Sequence, residues 1–288
     1  MRIQNPRGQT VLITVLVLTI ALTVALSLIR RSTTDVQMTG QLEESARAFS
    51  AAEAGIEDVL KRAVETTMTI QSANGPATVE TTYTAIAGSD AAYTYPTSTD
   101  MGDAATIWLV PHDDDGSLAE EVSNDYCNGG ACTIDVCWEP QTPKKPAIEV
   151  MVLYKTGSTY DVERFTFDPA AARIGNHFTR NTTLGKYCGI TANDVYKETV
   201  TLPTTSGYRP LLLRIRPYYN KTTVTVDPPA GRTLPAQGFE VSSVGKTESG
   251  ITRKIVVKKQ YDAPASVFDF VLYSNTGITN EEEYNITL

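Results

Sequence analysis

The feature that most constrains this chain is an uncharged run close to its start. From Gln9 to Ile29, 21 consecutive residues carry no charge, and most of them are Leu, Val, Ile, Ala or Thr. As a helix at ~1.5 Å per residue the run reaches roughly 32 Å, about the hydrocarbon thickness of a bilayer. The core helix of a soluble protein keeps a polar face, and none interrupts this run. The hydroxyls of Thr14, Thr19, Thr23 and Ser27 are compatible with insertion, because each can bond back to a carbonyl one turn earlier. A cleaved secretory signal has a shorter apolar core, about 7–15 residues, followed by small residues. Here Leu28-Ile29-Arg30-Arg31 occupies that place. The run therefore reads as a membrane span, residues 11–29.

The helical pattern continues beyond the span. Residues 30–64 contain no proline, and Leu42, Ala46, Phe49, Ile56, Leu60 and Ala63 fall on one stripe of an amphipathic helix. Glu53 interrupts that stripe. It reads either as an edge position reaching water, paired with Lys61 or Arg62 of a neighbour, or as a contact to a partner helix. Gly40 is where a bend would be expected. Unbroken, the helix would run from Gln9 to Val64, on the order of 84 Å. Half would lie in a membrane and half outside it, more than a simple anchor requires.

Before the span comes a short leader, residues 1–8, with Arg2, Arg7 and a terminal Gly8. A short basic leader, a glycine, an uncharged span and an amphipathic extension together resemble class III prepilins. The stretch from Arg7-Gly8 through "AFSAAEAGIE", Ala48 to Glu57, is similar to the N-terminal region of PilX-type minor pilins of type IV pili. The resemblance covers about the first 60 residues. It implies a prepilin peptidase that cuts between Gly8 and Gln9, and a mature chain beginning at Gln9, with N-methylation of that residue open. It also implies an assembly motif at Phe49, Ala51, Ala52, Glu53, Ala54 and Gly55. Its partners would be other pilin and minor pilin subunits and, before assembly, the inner membrane.

One position departs from the major-pilin pattern. Major pilins carry a glutamate at the fifth mature position, where this chain has Ile13. That carboxylate meets a neighbour's N-terminal ammonium in the apolar filament core, where an unpaired charge costs several kcal/mol. A subunit with isoleucine there cannot neutralise a neighbour, which suits the tip or initiating position. Topology is only weakly biased by charge, with Arg2 and Arg7 before the span and Arg30 and Arg31 after it. The resemblance implies a head outside the cytoplasm.

The cysteines agree with export. Cys127, Cys132, Cys137 and Cys188 all lie beyond the helix, and an even number there reads as two disulfides. Zinc would favour closer spacing, and no histidine lies near the cluster. Four cysteines allow three pairings; a local bridge within 127–137 and one to Cys188 is the expectation.

From residue 65 the chain is rich in Thr, Tyr and Val, with Gly and Pro between short apolar runs. Strands are expected from residues 78, 105, 147, 160, 211, 222, 238, 252 and 267, with a hairpin at "KTGSTY". The fold class expected is α+β: a long membrane-spanning helix, residues 9–64, carrying a mostly antiparallel, sandwich-like head outside the cytoplasm. Proline and glycine in "LPTTSGYRP" suggest dividing that head into a cysteine-bearing module, 65–202, and a C-terminal module, 203–288.

Catalytic motifs are not evident. The two histidines, His112 and His177, sit in no nucleophile or metal motif, and there is no G-x-S-x-G. "VGKTESG" lacks the first glycine of a Walker A loop. "HDDDGSLAEE" fails an EF-hand at both ends, leaving a looser calcium site at Asp113, Asp114 and Asp115 as the residual reading. No cofactor and no enzyme activity are expected. Three N-x-T sequons begin at Asn181, Asn220 and Asn285. With 25 basic and 33 acidic side chains the chain carries −8, which argues against nonspecific nucleic-acid binding. The basic strand at Arg253, Lys254, Lys258 and Lys259 reads as a protected sheet edge.

Two classes of function fit. One is a minor pilin contributing to pilus assembly and to adhesion through a host or surface ligand, with a pseudopilin of type II secretion as its variant. The other is a single-span, membrane-anchored exported binding protein or enzyme. Gly8, "AFSAAEAGIE" and the extended helix are needed only by the first.

Overall fold

The computed structural model describes residues 7–62, 67–70, 75–113, 116–128, 131–205 and 207–264. It opens with a single helix, α1 (Arg7–Arg62), whose 56 residues would span about 84 Å. Gly40 does not break it. A Cβ there would meet nothing within 4 Å, so the glycine weakens the helix only through backbone entropy. Within the span, Thr14 donates to the Thr10 carbonyl at 3.0 Å, Thr19 to Leu16 and Thr23 to Ile20, both at 2.8 Å. The hydroxyls are thereby satisfied inside the helix, as lipid requires.

Chain contacts divide the molecule into two compact units. The first contains the residues up to Thr84 together with Glu240–Lys258. Here α1 accompanies a four-stranded sheet ordered β1-β2-β13-β14, with β1 Thr67–Ile70, β2 Ala77–Ala87, β13 Ala236–Thr247 and β14 Thr252–Gln260. β1 pairs antiparallel with β2, from Thr67↔Glu80 to Ile70↔Ala77. Along β2, Ala77, Val79 and Thr81 are buried while Thr78, Glu80 and Thr82 are exposed, the period of two of a sheet with one covered face.

The second unit contains Ala85–Phe239 together with residues from Lys259 onward, and is a β-sandwich. One sheet is ordered β3-β12-β5-β10-β9: β3 Tyr93–Thr94, β5 Cys132–Trp138, β9 Leu184–Gly185, β10 Val195–Leu202 and β12 Val224–Asp227. The other is ordered β4-β11-β6-β7-β8: β4 Ala105–Trp108, β6 Ala147–Thr156, β7 Thr159–Asp168, β8 Thr179–Arg180 and β11 Tyr208–Tyr218. Alternate residues of both sheets meet in one core. Ile134, Val136 and Trp138 of β5 and Val200 of β10 face Ile107, Ile148, Val150, Val152, Leu213 and Ile215 of the opposite sheet. The β6–β7 hairpin turns at Gly157, whose positive φ of 60° suits the two-residue turn. The short β7–β8 pairing, Phe167↔Thr179 and Asp168↔Arg180, is parallel.

The sandwich crosses the division expected at residues 202–210. β10 and β11, on either side of that proline- and glycine-bearing segment, belong to the two sheets of one core. The segment is a crossing between layers. The compact units are instead assembled from stretches far apart in sequence, which composition along the chain cannot reveal. β5 and β10 are strands that the sequence reading does not anticipate, although "CTIDVCW" alternates cleanly. The strand expected from residue 267 lies outside the described residues, as does the helix end expected at Val64.

Candidate functional site

In α1 beyond the span, small residues occupy one face. Ala48, Ala51, Ala52, Gly55, Ile56 and Val59 are all buried, at the three- and four-residue steps of a helical face. Opposite them in the first unit lie Ala77 and Val79 of β2, with Met68 and Ile70 packed alongside. The approach is close at two glycines. A Cβ on Gly55 would stand 2.5 Å from the Ser243 hydroxyl and 3.0 Å from Thr81 Cγ2. A Cβ on Gly245 of β13 would collide with the Ala48 carbonyl oxygen and lie 2.8 Å from the Ala52 nitrogen. At Gly245 helix backbone and strand backbone thus meet with no side chain between them, while at Gly55 the helix backbone rests on strand side chains.

Polar contacts frame the seam. Ser249 Oγ donates to Glu44 at 2.7 Å, and Glu44 also receives Arg47. Arg253 reaches Ser45 with Nε at 2.8 Å and with Nη2 at 2.6 Å. Further along, Lys61 donates to Glu57 at 2.7 Å, and Arg62 pairs with Asp58. The hydrogen bond from Lys61 and its charge hold the Glu57 carboxyl below its ordinary pKa. These i,i+4 pairs support a helix end that is otherwise solvated.

The stripe of α1 beside this face is uncovered. Leu42 is 71% exposed, Phe49 47% and Leu60 42%, with Ala46 and Glu53 exposed among them. The stripe expected from periodicity is therefore divided. Ile56 lies against the sheet, and the larger members, Leu42, Phe49 and Leu60, lie at the uncovered edge of that face. The reason is steric: the close backbone approach at Gly245 and Gly55 selects the face with the smallest side chains, not the most apolar one. Glu53 is solvent-facing on the uncovered side, and within this chain Lys61 and Arg62 bind Glu57 and Asp58 of their own helix. In "AFSAAEAGIE", Ala51, Ala52 and Gly55 serve the internal seam, Phe49 and Glu53 the open face, and Ala54 is half-buried between them. Gly8 and Gln9 are helical, and Ile13 is exposed along the apolar part.

Sequence reasoning misses Val59, Ser243 and Gly245. Gly245 stands out in sequence only as part of a failed phosphate loop. An isolated glycine inside a strand pattern is itself the signal of a close backbone approach.

The four cysteines form two bridges, Cys127–Cys132 and Cys137–Cys188, with Cα separations of 5.6 and 6.4 Å. Asp113 is exposed in a turn closed by Gly116 N–H donating to its carbonyl at 2.8 Å, while Asp114 and Asp115 lie outside the described residues. Among the described residues no three His, Cys, Asp or Glu side chains converge as metal ligands. Asn181 is buried, its amide donating to the Lys197 carbonyl and to Glu198, both at 2.7 Å. Asn220 donates to the Lys144 carbonyl at 2.9 Å, and Asn285 lies outside the described residues.

Fold and site together define a class: an α+β protein with one helix long and apolar enough to cross a membrane, followed by antiparallel β-sheets. Residues 7–57 match the family model described as PilX N-terminal. The match includes the span and the whole "AFSAAEAGIE" run and leaves the β-rich remainder outside it. No curated protein and no solved structure matches the chain.

Proposed function

We propose that this protein is a minor pilin of a type IV pilus, a non-catalytic subunit that enters the filament through α1. The observation that carries this reading is the two-faced helix. Its small-residue face is consumed within the first unit, while Leu42, Phe49 and Leu60 stay exposed in continuity with the apolar run that begins at Val11. A static anchor needs the span but not an apolar stripe extending beyond it. A filament subunit needs both, because extraction from lipid must be offset by burial against other helices. The PilX N-terminal match over the same residues supports the same reading.

Prepilin peptidase would cut between Gly8 and Gln9 while the helix sits in the inner membrane with the β-rich head outside the cytoplasm. The two disulfides suit an oxidising compartment. Ile13 suits a position where no neighbouring ammonium awaits a carboxylate, at the tip or initiating end, and the head then faces outward toward a host or surface ligand. Intact-mass and N-terminal peptide mass spectrometry of protein from its native membrane or sheared surface fraction tests this. A chain beginning at Gln9 is expected. A chain retaining Met1, or one beginning beyond Ile29, would overturn the reading.

A further inference from the structure

In β11, Leu213 and Ile215 enter the sandwich core, so Leu212, Arg214 and Arg216 stand on the other face of their sheet. Leu153, Met151 and Glu149 of β6 pair with them in register and share that face. On an open sheet face an arginine keeps its guanidinium in water. Here Arg216 is 5% exposed, Met151 5%, Arg214 6% and Glu149 8%. A surface on the side away from the core is covered.

The described chain arrives on this face at the β4 end. Trp108 of β4 pairs with Leu212, and Tyr261 packs on their apolar cluster together with Leu153. Three residues further on, Arg214 Nη1 donates to the Pro264 carbonyl. Between Tyr261 and Pro264 the chain thus advances from Leu212 to Arg214, toward Arg216. Residues 265–288 continue from that point and lie outside the described residues. Added as one more strand beside β4, they would leave Met151 and Glu149 uncovered, because β4 and β11 would stand between. Laid across the face, they cover both.

Charge selects the same occupant. Glu149 accepts from Arg164 of β7 and from the Tyr218 hydroxyl, the latter at 2.7 Å, and Arg216 is its neighbour across the ladder. Asp103 lines a pocket with Arg214. Two carboxylates therefore stand among three guanidinium groups, Arg164, Arg214 and Arg216, and a covered cation requires an anion. Residues 265–288 contain Asp269, Glu281, Glu282 and Glu283 and no Lys, Arg or His. In the apolar stretch "VFDFVLYS", Val267, Val271 and Tyr273 alternate onto the same side as Asp269.

We propose that residues 265–288 of the same chain are the cover of this face, laid over β11 and β6 with Asp269 against Arg216. Asp269 follows Pro264 by five residues, a reach of up to ~17 Å, while Arg216 lies ~7 Å beyond Arg214 along its strand. Val267, Val271 and Tyr273 then meet Met151 and the apolar stems of the arginines. The sandwich is completed on its outer side by the segment that follows it. This belongs to the second unit alone and does not depend on whether the chain assembles into a filament.

Met151 is the reporter, because hydrogen peroxide oxidises methionines according to their exposure, and Met101, 62% exposed, is the internal standard. The full chain in detergent micelles is treated with peroxide, and both sulfoxides are followed by peptide mass spectrometry. Met151 is expected to oxidise about tenfold more slowly than Met101. In a chain stopped after Pro264, with an unchanged far-UV circular dichroism spectrum, the two rates should come within about threefold of each other. Asp269→Lys alters no described residue and should speed Met151 oxidation about threefold or more at an unchanged Met101 rate. Protection retained in the shortened chain would overturn the proposal, since the cover would then come from the described residues. Indifference to Asp269→Lys would overturn the placement of Asp269 against Arg216. Protection that falls on dilution, with a dimer in light scattering, would assign the cover to a second copy and overturn the proposal equally.

Discussion

Gly245 of β13 lies against Ala48 of α1 so closely that a Cβ on the glycine would collide with the alanine's carbonyl oxygen. The obstacle is backbone on both sides, and the same hypothetical Cβ would stand 2.8 Å from the Ala52 nitrogen. No rotamer change relieves it. Gly245→Ala is expected to destabilise the first unit by roughly 3 kcal/mol, the upper range for overpacking a rigid site. Gly40→Ala, with open space around it, should instead stabilise the helix by about 1 kcal/mol. Denaturant unfolding followed by circular dichroism separates the two, and equal effects would show that the seam has room for a side chain.

Phe49 tests the uncovered stripe. Its side chain is 47% exposed in the single chain and lies on the uncovered stripe beside the buried face. Phe49→Ser should leave thermal stability within about 0.5 kcal/mol of the wild type. If the proposed assembly is right, incorporation into sheared pili should fall about tenfold, as expected for losing a side chain buried between helices. Ala52→Leu should do the reverse, preventing the unit from folding before assembly arises.

The two disulfides should differ in worth. Cys127–Cys132 closes a separation of 5 residues and Cys137–Cys188 one of 51. In the chain-entropy account the longer loop contributes about 4 kcal/mol and the shorter about 2. The longer bridge also packs with Val195 and half-buried Tyr187 and Ile190, so its loss disturbs packing as well. Paired serine substitutions, compared by urea midpoint, should rank in that order.

His112 stacks on Tyr261 at 3.9 Å and meets Trp108 edge-on at 4.6 Å. Burial pushes its pKa below the ordinary histidine value, and the nearby Asp113 charge opposes this only in part. A folded pKa below the unfolded one means that the unfolded chain binds the proton first. The contribution is complete above about pH 6.5 and is lost as pH falls through the lower folded value. Melting temperature should therefore decline as pH falls below about 6.5, and His112→Phe, which keeps a stacked ring, should flatten that decline. Matching slopes in both proteins would exclude His112 as the source.

The parts readable before folding are those whose signal is local. An uncharged run as long as a bilayer is thick needs no partner to declare itself, and α1 continues from it because nothing in residues 30–62 breaks a helix. β6, β7, β11, β13 and β14 announce themselves by alternation or continuous apolar character. β5 is obscured because its cysteines read first as bridge ends, although Ile134, Val136 and Trp138 alternate into the core.

By itself, then, the sequence determined the apolar span, the helix carrying it and the β character of the rest, since each follows from the spacing of side chains along one stretch of backbone. Only tertiary structure decided which helix face is covered, because that depends on how near Gly245 and Gly55 let two backbones come. Tertiary structure also chose one cysteine pairing among three and built compact units from distant stretches. Each is a relation between segments with no trace in the periodicity of either, fixed by excluded volume and by where a buried polar atom can find a partner.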